Sequence, residues 1–453
     1  MKKYSRLTAL LLAVFMLLGC AACSGGETED TTEAGTAATT APETTEADTE
    51  DTTEESITVV APPETTDPPE TEPPKPEEIF RIIMQEGGGE AILSALADEE
   101  IAPLLDAREK ALLYEHSVQI ELSKTEDLEG HVKNHALAGD SRYDLVLTSP
   151  MTGIELLSAS ALENLAGAGI SITPESIGTR RSITESLSVG GGVYLFASDA
   201  LVSDIGATYA IRYGGGKLSS DPVEKALAGE FTAELMLTYI AETENAFSLS
   251  SASALTLFHG VGGRIFDTNE NGIPSSAVNA GTSFGSAYSS ALTIYSKATE
   301  KEAVFTLERL APLAEGEIYL PIPKANSDMN YSAPIDHDRV YLFAAPVGVI
   351  SGNRLNTLVT ALAACSSDYR EAARWKIIGN GADRSADTLR IIEDCGRLDL
   401  GVLFGWGDIG EHVRKGLESN KTADDILADR MTDMRNKAAE TAASILADKL
   451  GIK

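Results

Sequence analysis

The sequence is poor in several things, and each shortage narrows its reading. Only 4 of its 453 residues are cysteine, and two of those, Cys20 and Cys23, stand just behind an apolar leader. That leaves Cys365 and Cys395 as a possible bridge for everything after residue 23, so a dense disulfide scaffold is excluded. Positive charge is scarce as well. Lys and Arg number 36 against 69 Asp and Glu, a formal net charge of −33, which makes nucleic acid and anionic lipid surfaces poor partners. A bilayer needs about 20 consecutive apolar residues, and the run from Leu7 to Leu18 falls short of that. The glycine triplets at 87–89, 190–192 and 214–216 lack the Lys-Ser/Thr ending of a phosphate loop, and no Gly-x-Ser-x-Gly stands near a plausible triad. Nothing in the chain demands catalysis, and no cofactor is expected.

What is present begins with Lys2, Lys3 and Arg6, then the apolar run, then Leu17-Leu18-Gly19-Cys20. These are the parts of an export signal, expected over residues 1–19. Leu-Leu-Gly-Cys resembles the bacterial lipobox, which makes Cys20 the expected lipid anchor. Cys23 is the alternative, although its minus-three residue is Cys20 and not a branched aliphatic. From Ser24 to Glu78 the chain turns to Thr, Glu, Asp, Pro and Ala, with 17 acidic residues against the single Lys75. Such a stretch buries too little surface to offset its chain entropy, so residues 20–78 are expected to be a disordered acidic linker. On linker arithmetic its 55 residues reach about 40 Å as a coil and about 170 Å fully extended.

Residues 79–453 keep a net charge of about −20 and exceed what one core usually organises, so two lobes are expected. Ile79 to Met84 reads as a strand that runs into the glycine turn Gly87-Gly88-Gly89, with a helical pattern from Glu90 through Leu113. Strands follow at Ser117–Leu122 and Tyr143–Thr148, with a helix from Thr125 to Ala138 between them. This alternation predicts a parallel sheet covered by helices. Further strands are expected at Gly192–Phe196, Ala207–Ile211, Ile318–Pro323 and Val340–Ala345. The stretches Asp221–Glu242, Ser283–Leu313 and Ser385–Lys453 read as mainly helical.

Several sequence elements occur in a telling order. They are Ala138-Gly139-Asp140-Ser141-Arg142-Tyr143-Asp144, Gly191-Gly192-Val193-Tyr194, Ala228-Gly229-Glu230-Phe231-Thr232, Leu320-Pro321-Ile322-Pro323-Lys324 with Tyr331, Asp383-Arg384-Ser385-Ala386-Asp387, and Leu398-Asp399-Leu400-Gly401 before Trp406. From Ile79 onward the chain resembles extracellular solute-binding protein family 1, in the form common in clostridial genomes. The resemblance implies a two-lobed α/β fold of the type II periplasmic-binding-protein kind, with a cleft between the lobes. Lobe one is expected over about 79–187 and 341–380, lobe two over about 188–340 and 381–453. It also implies a non-enzymatic receptor of an ABC importer that closes on a small solute, a sugar by preference, and delivers it to permease subunits in the membrane. The chain would be a monomer, lipid-anchored on the outer face of the membrane of a Gram-positive type of bacterium. A surface sensor or adhesin on the same fold, or a polysaccharide-acting enzyme, is the alternative. Two tryptophans are thin provision for a long oligosaccharide, which keeps a small or anionic solute open.

Candidate ligand residues follow from strand ends and family positions. Gln85 and Glu86 end the first strand, where open α/β sheets place ligands. Thr148 and Ser149, ahead of Pro150, end another, with hydroxyls suited to hydrogen bonding. The resemblance implies that Trp406, flanked by Gly405 and Gly407, presents a ring to a sugar face. Tyr194 and Tyr331 are candidates for stacking. Arg180, beside Arg181, stands where the family often places aromatic rings, and is suited to a carboxylate or phosphate. His131 and His135 share a helix face but lack the adjacent glutamate of a zinc protease. Asp267-Thr268-Asn269-Glu270-Asn271-Gly272 imitates a calcium loop with Val278 at position twelve, so no metal is expected.

Overall fold

The computed structural model describes residues 75–86, 101–139, 142–168, 181–189, 192–268, 274–278, 283–301, 303–348, 352–379, 384–428 and 431–450. The leader, Cys20, Cys23, nearly all of the acidic linker and Arg180 lie outside the described residues. Strand β1 (Glu78–Gln85) is followed by helix α1 (Ala102–His116), β2 (Val118–Thr125), α2 (Leu128–Ala138), β3 (Leu145–Thr148) and α3 (Pro150–Ser158). Local chemistry sets these ends. The Asp127 carboxylate accepts from the Gly130 N–H to cap α2, and Gly139 closes it at φ +64°. Ser149 caps α3 with Pro150 at its first position. Helix α4 (Arg181–Ser186) and β4 (Leu195–Phe196) then lead into α5 (Ser203–Ala207).

The second half begins with β5 (Tyr209–Tyr213), α6 (Pro222–Leu227), α7 (Ala233–Glu242), β6 (Phe247–Leu249) and α8 (Ala254–Gly260). It continues through the hairpin of β7 (Phe266–Thr268) and β8 (Pro274–Ser276), then α9 (Ser283–Tyr295), β9 (Ala298–Thr299), β10 (Phe305–Arg309) and β11 (Ile318–Leu320). Next come β12 (Ala333–Pro334), β13 (Leu342–Ala344), α10 (Gly352–Ala364), α11 (Ser367–Ile378), α12 (Arg384–Asp394) and β14 (Gly396–Arg397). Helices α13 (Leu400–Leu403), α14 (Ile409–Glu418), α15 (Ala423–Ala428) and α16 (Met431–Leu450) complete the chain.

Two five-stranded sheets result, in the orders β2-β1-β3-β13-β4 and β11-β5-β10-β6-β9. Alternation along the strands sorts side chains to two faces. Phe80, Ile82, Met84, Leu145 and Leu147 share one cluster with Leu355 and Leu358 of α10, while Ile83 and Val146 enter another. That second cluster runs on through Leu342 into Ile211, Phe305 and Leu307 of the other sheet, so the two lobes share continuous apolar packing. This is the two-lobed α/β architecture expected from the sequence. The parallel sheet expected for the first lobe is instead mixed. Strands β1, β2 and β3 are parallel, but β13 runs antiparallel to β3 and to β4. The reason is topological: β4 leaves the sheet at the edge where β3 ends, and the chain returns through β13 from that same edge. Leu195–Phe196, sequentially beyond residue 187, therefore hydrogen-bonds within the first sheet.

Two other expectations are corrected. Ser283–Leu313 is helical only to Tyr295, because buried Phe305, Thr306 and Leu307 form a central strand that the charged stretch before them obscures. Cys365 and Cys395 are free thiols, one packed beside the first sheet's outer cluster and the other beside that of the second. They hold no bridge.

Candidate functional site

The edge from which both crossovers leave the first sheet is built by strand ends. Met84 pairs with Leu147, which puts Gln85 level with Thr148 along that edge. Gln85 and Glu86 are exposed there. Thr148 is fully buried and its hydroxyl donates to the Ser149 carbonyl at 3.1 Å. Ser149 Oγ accepts the Thr152 N–H at 3.3 Å, which occupies it as a helix cap. Arg181 turns to Glu185, with Nε 2.5 Å from the carboxylate.

The aromatic candidates lie elsewhere than expected. Tyr194 is 6% exposed and packs in the shared core. Trp406 is 1% exposed, stacked on Phe404 at 4.8 Å and met edge-on by Phe266 at 4.4 Å. Its ring is core, not a ligand platform. Tyr331 does line a cleft, but its hydroxyl accepts the Phe231 N–H and donates to the Ala226 carbonyl, each at 3.1 Å. Burial pushes that hydroxyl up to about 12, so it remains a donor. The His131 and His135 ring nitrogens contact one another at 3.0 Å, and His131 also bonds the Tyr143 hydroxyl. Among the described residues no cluster of three or more metal-ligating side chains occurs. Ser283, within Gly281-Thr282-Ser283-Phe284-Gly285, simply opens α9, and no described histidine is hydrogen-bonded to it.

Two clefts flank the segment Arg397-Leu398-Asp399, which the parallel pairing of β14 with β12 holds in place. Gly396 permits the approach, since a Cβ there would stand 3.3 Å from both Ile335 Cδ1 and the Glu393 carbonyl. The first cleft, about 210 Å³, is walled by α8, Tyr209 and the second crossover at Pro334–His337. The second, about 430 Å³, lies between α4, on the first-lobe side, and the turn carrying Arg264, Phe266 and Asp267. Leu398 N–H donates to Ser186 Oγ at 3.2 Å and ties the shared wall to α4.

The polar groups on these walls are held by α8 and α13. Ser253 and Thr256 form a reciprocal capping box at the start of α8, which fixes His259 at its end. His259 Nδ1 donates to the Gly263 carbonyl at 2.9 Å, so Nε2 carries the acceptor lone pair. That Nε2 is buried without a partner on the first cleft's wall. Asp399 caps α13 by accepting from Val402 N–H, and its other oxygen accepts from Ile265 N–H, 3.7 Å from His259 Nδ1. Arg264 pairs with Asp267 at 2.8 Å. Arg397 lines both clefts, and its guanidinium has no hydrogen bond or ion pair to any described residue.

Burial holds the His259 imidazole below its ordinary range, with Asp399 opposing that effect only in part. An unfolded histidine titrates near 6.5, so protons favour the unfolded chain. The stabilisation is fully present above about pH 6.5 and drains away as pH falls below it. From pH 7 to 5 the wild-type chain should therefore lose more thermal stability than His259→Gln. Equal slopes in thermal melts would rule out a buried neutral imidazole.

Sequence reasoning missed His259, Arg264 and Arg397 and named Asp399 only in passing. The available signals were the Gly262-Gly263-Arg264 turn and the position of Arg397 directly before Leu398-Asp399.

No family model and no curated protein matches the sequence. Among solved structures, the cyclic alpha-maltosyl-1,6-maltose binding protein from Arthrobacter globiformis aligns with a TM-score of 0.51 at 11% identity, over 81% of this chain and 99% of that one. A cyclo/maltodextrin-binding protein complexed with maltotetraose aligns at 0.49 and 12% identity, over 80% and 97%. The galacto-N-biose-/lacto-N-biose I-binding protein of the ABC transporter from Bifidobacterium longum aligns at 0.48 and 11%, over 81% and 98%. At such identity the first of these similarities establishes the two-lobed binding-protein fold.

Proposed function

We propose that this chain is a non-enzymatic solute receptor of an ABC importer, lipid-anchored through Cys20 outside the cell, and that its solute is a small carbohydrate. The observation that carries the reading is the architecture around the clefts. Two α/β lobes are joined by crossovers that leave one sheet edge, and polar side chains line the space beside the second crossover. A ligand that contacts both lobes favours their closed arrangement, and a permease that recognises only that arrangement reads binding as shape. The solved binding protein of like fold is named for a cyclic maltosaccharide, which supports the carbohydrate class. The clefts offer few aromatic faces, since Trp406 and Tyr194 are committed to the core. A mono- or disaccharide therefore suits them better than a long chain.

The test is isothermal titration and thermal melting of the full chain against mono- and disaccharides, amino acids and dipeptides. A cognate sugar at a hundredfold excess over its Kd should raise stability by about 2.7 kcal/mol. Selective binding of amino acids or peptides would replace the carbohydrate reading, and silence across all classes would argue against a receptor.

A further inference from the structure

The second cleft contains a charge that the described residues answer only in part. Arg397 is half-buried on the shared wall, and no described residue gives its guanidinium a hydrogen bond or an ion pair. Every other charged group around it has an assignment. Asp267 holds Arg264, Glu185 holds Arg181, and both Asp399 oxygens accept backbone N–H groups. Asp394 also has a partner. A desolvated guanidinium without a counter-ion is costly to keep. Burial and the neighbouring Arg264 both act against its charge, and the Asp399 and Asp267 carboxylates compensate only in part. Two further features point the same way. Ser182 Oγ is buried on the same cleft without a partner, and Asn330 lines it as well.

We infer that the solute carries an oxyanion, the carboxylate of a sugar acid or the phosphate of a sugar phosphate, and that Arg397 receives it through its paired N–H donors with Ser182 Oγ alongside. The guanidinium fork matches two oxygens of either group. A protein of net charge −33 that keeps a guanidinium without a direct ion pair inside a cleft also repels anions elsewhere on its surface. The inference rests on the receptor reading above and names the chemistry of its ligand.

Matched pairs test it on the full chain by titration: glucose against glucuronate, galactose against galacturonate, and glucose against glucose 6-phosphate. The anionic member of a pair should bind about 10- to 100-fold tighter than its neutral parent, the range of a charge-assisted hydrogen bond. The preferred pair shows whether the group is a carboxylate or a phosphate. In Arg397→Gln the two members should become equal in affinity. Arg397→Lys, which keeps the charge but not the fork, should retain only part of the preference, and Ser182→Ala should weaken the anion alone. If neutral sugars bind as well as or better than their acids, the inference fails and the carbohydrate receptor stands. If no saccharide of either kind binds, the receptor reading falls and takes the inference with it.

Discussion

Arg370→Ala is expected to lower the unfolding free energy by about 3–5 kcal/mol, the range found when one partner of a buried ion pair is removed. Arg370 sits in α11 and is 4% exposed. One of its guanidinium nitrogens donates to Asp204 Oδ1 at 3.0 Å and to the Leu201 carbonyl at 2.5 Å, and the other donates to Asp204 Oδ2 at 2.8 Å. Nε faces Asp199 at 3.2 Å as an ion pair, and Glu393 of α12 lies 4.0 Å away. Burial alone would lower its pKa, but the Asp204, Glu393 and Asp199 charges outweigh that and raise it, so the guanidinium is held charged. Removing it takes the two-pronged guanidinium contact from Asp204, itself 3% exposed. Glu393 is less affected because Arg374 donates to both of its oxygens at 2.7 and 2.9 Å. Urea unfolding measures the loss, and a change below about 1 kcal/mol would contradict the network. The double substitution Arg370→Met with Asp204→Leu should recover most of it, since an apolar pair of similar volume often replaces a buried ion pair without penalty.

The place of this network gives it a mechanical meaning. Leu201, Asp199 and Asp204 belong to the first crossover, between β4 and β5. The second crossover is held by Arg309 and Tyr209, which donate to Asp336 at 2.6 and 3.5 Å, and it is tied to the first by the Asp336 N–H donating to the Ala207 carbonyl at 2.8 Å. The lobe closure proposed above would turn about these two strands of chain, which polar contacts hold to their surroundings and to each other. Such hinges move as rigid elements about a few residues and do not flex along their whole length.

How much of this was legible in the sequence differs by kind of feature. Phe80, Ile82, Ile83 and Met84 form an apolar run that predicts a buried strand without any knowledge of the fold, and the alternation after it predicts an α/β lobe. Asp127 and Ser149 are residue types that cap helices, although from sequence the first helix reads from Thr125 and Ser149 as a ligand residue. The hinge did not read, because Arg370 and Asp204 lie 166 positions apart and neither has a local signature. Arg397 did not read for a different reason. Its importance lies in the partner it lacks, and a missing partner is visible only once every neighbour has a position. The free cysteines show the same limit, since two thiols after the linker leave a bridge open until the fold assigns them to separate clusters.

Trp406→Ala is expected to cost about 3–5 kcal/mol of stability, as large aromatic deletions in cores do, whereas Trp406→Phe should cost under about 1.5 kcal/mol. The sequence places glycines on both sides of this ring, and a freely protruding aromatic was the natural reading. The structure gives those glycines another purpose. Gly405 and Gly407 adopt φ +57° and +60°, the left-handed region that glycine enters without strain. A Cβ on Gly407 would stand 2.2 Å from the Met434 carbonyl of α16. The tight turn thus seats the C-terminal helix and drives the indole inward between Phe404 and Phe266. Phenylalanine keeps the stack and removes the indole N–H, which is buried without a partner, so part of its smaller volume is offset. A ring that served the ligand would give the opposite pattern: Trp406→Ala would lose binding while the urea midpoint stayed put. Measuring midpoint and sugar affinity on the same two variants separates the two, and retained stability in the alanine variant would return Trp406 to the cleft.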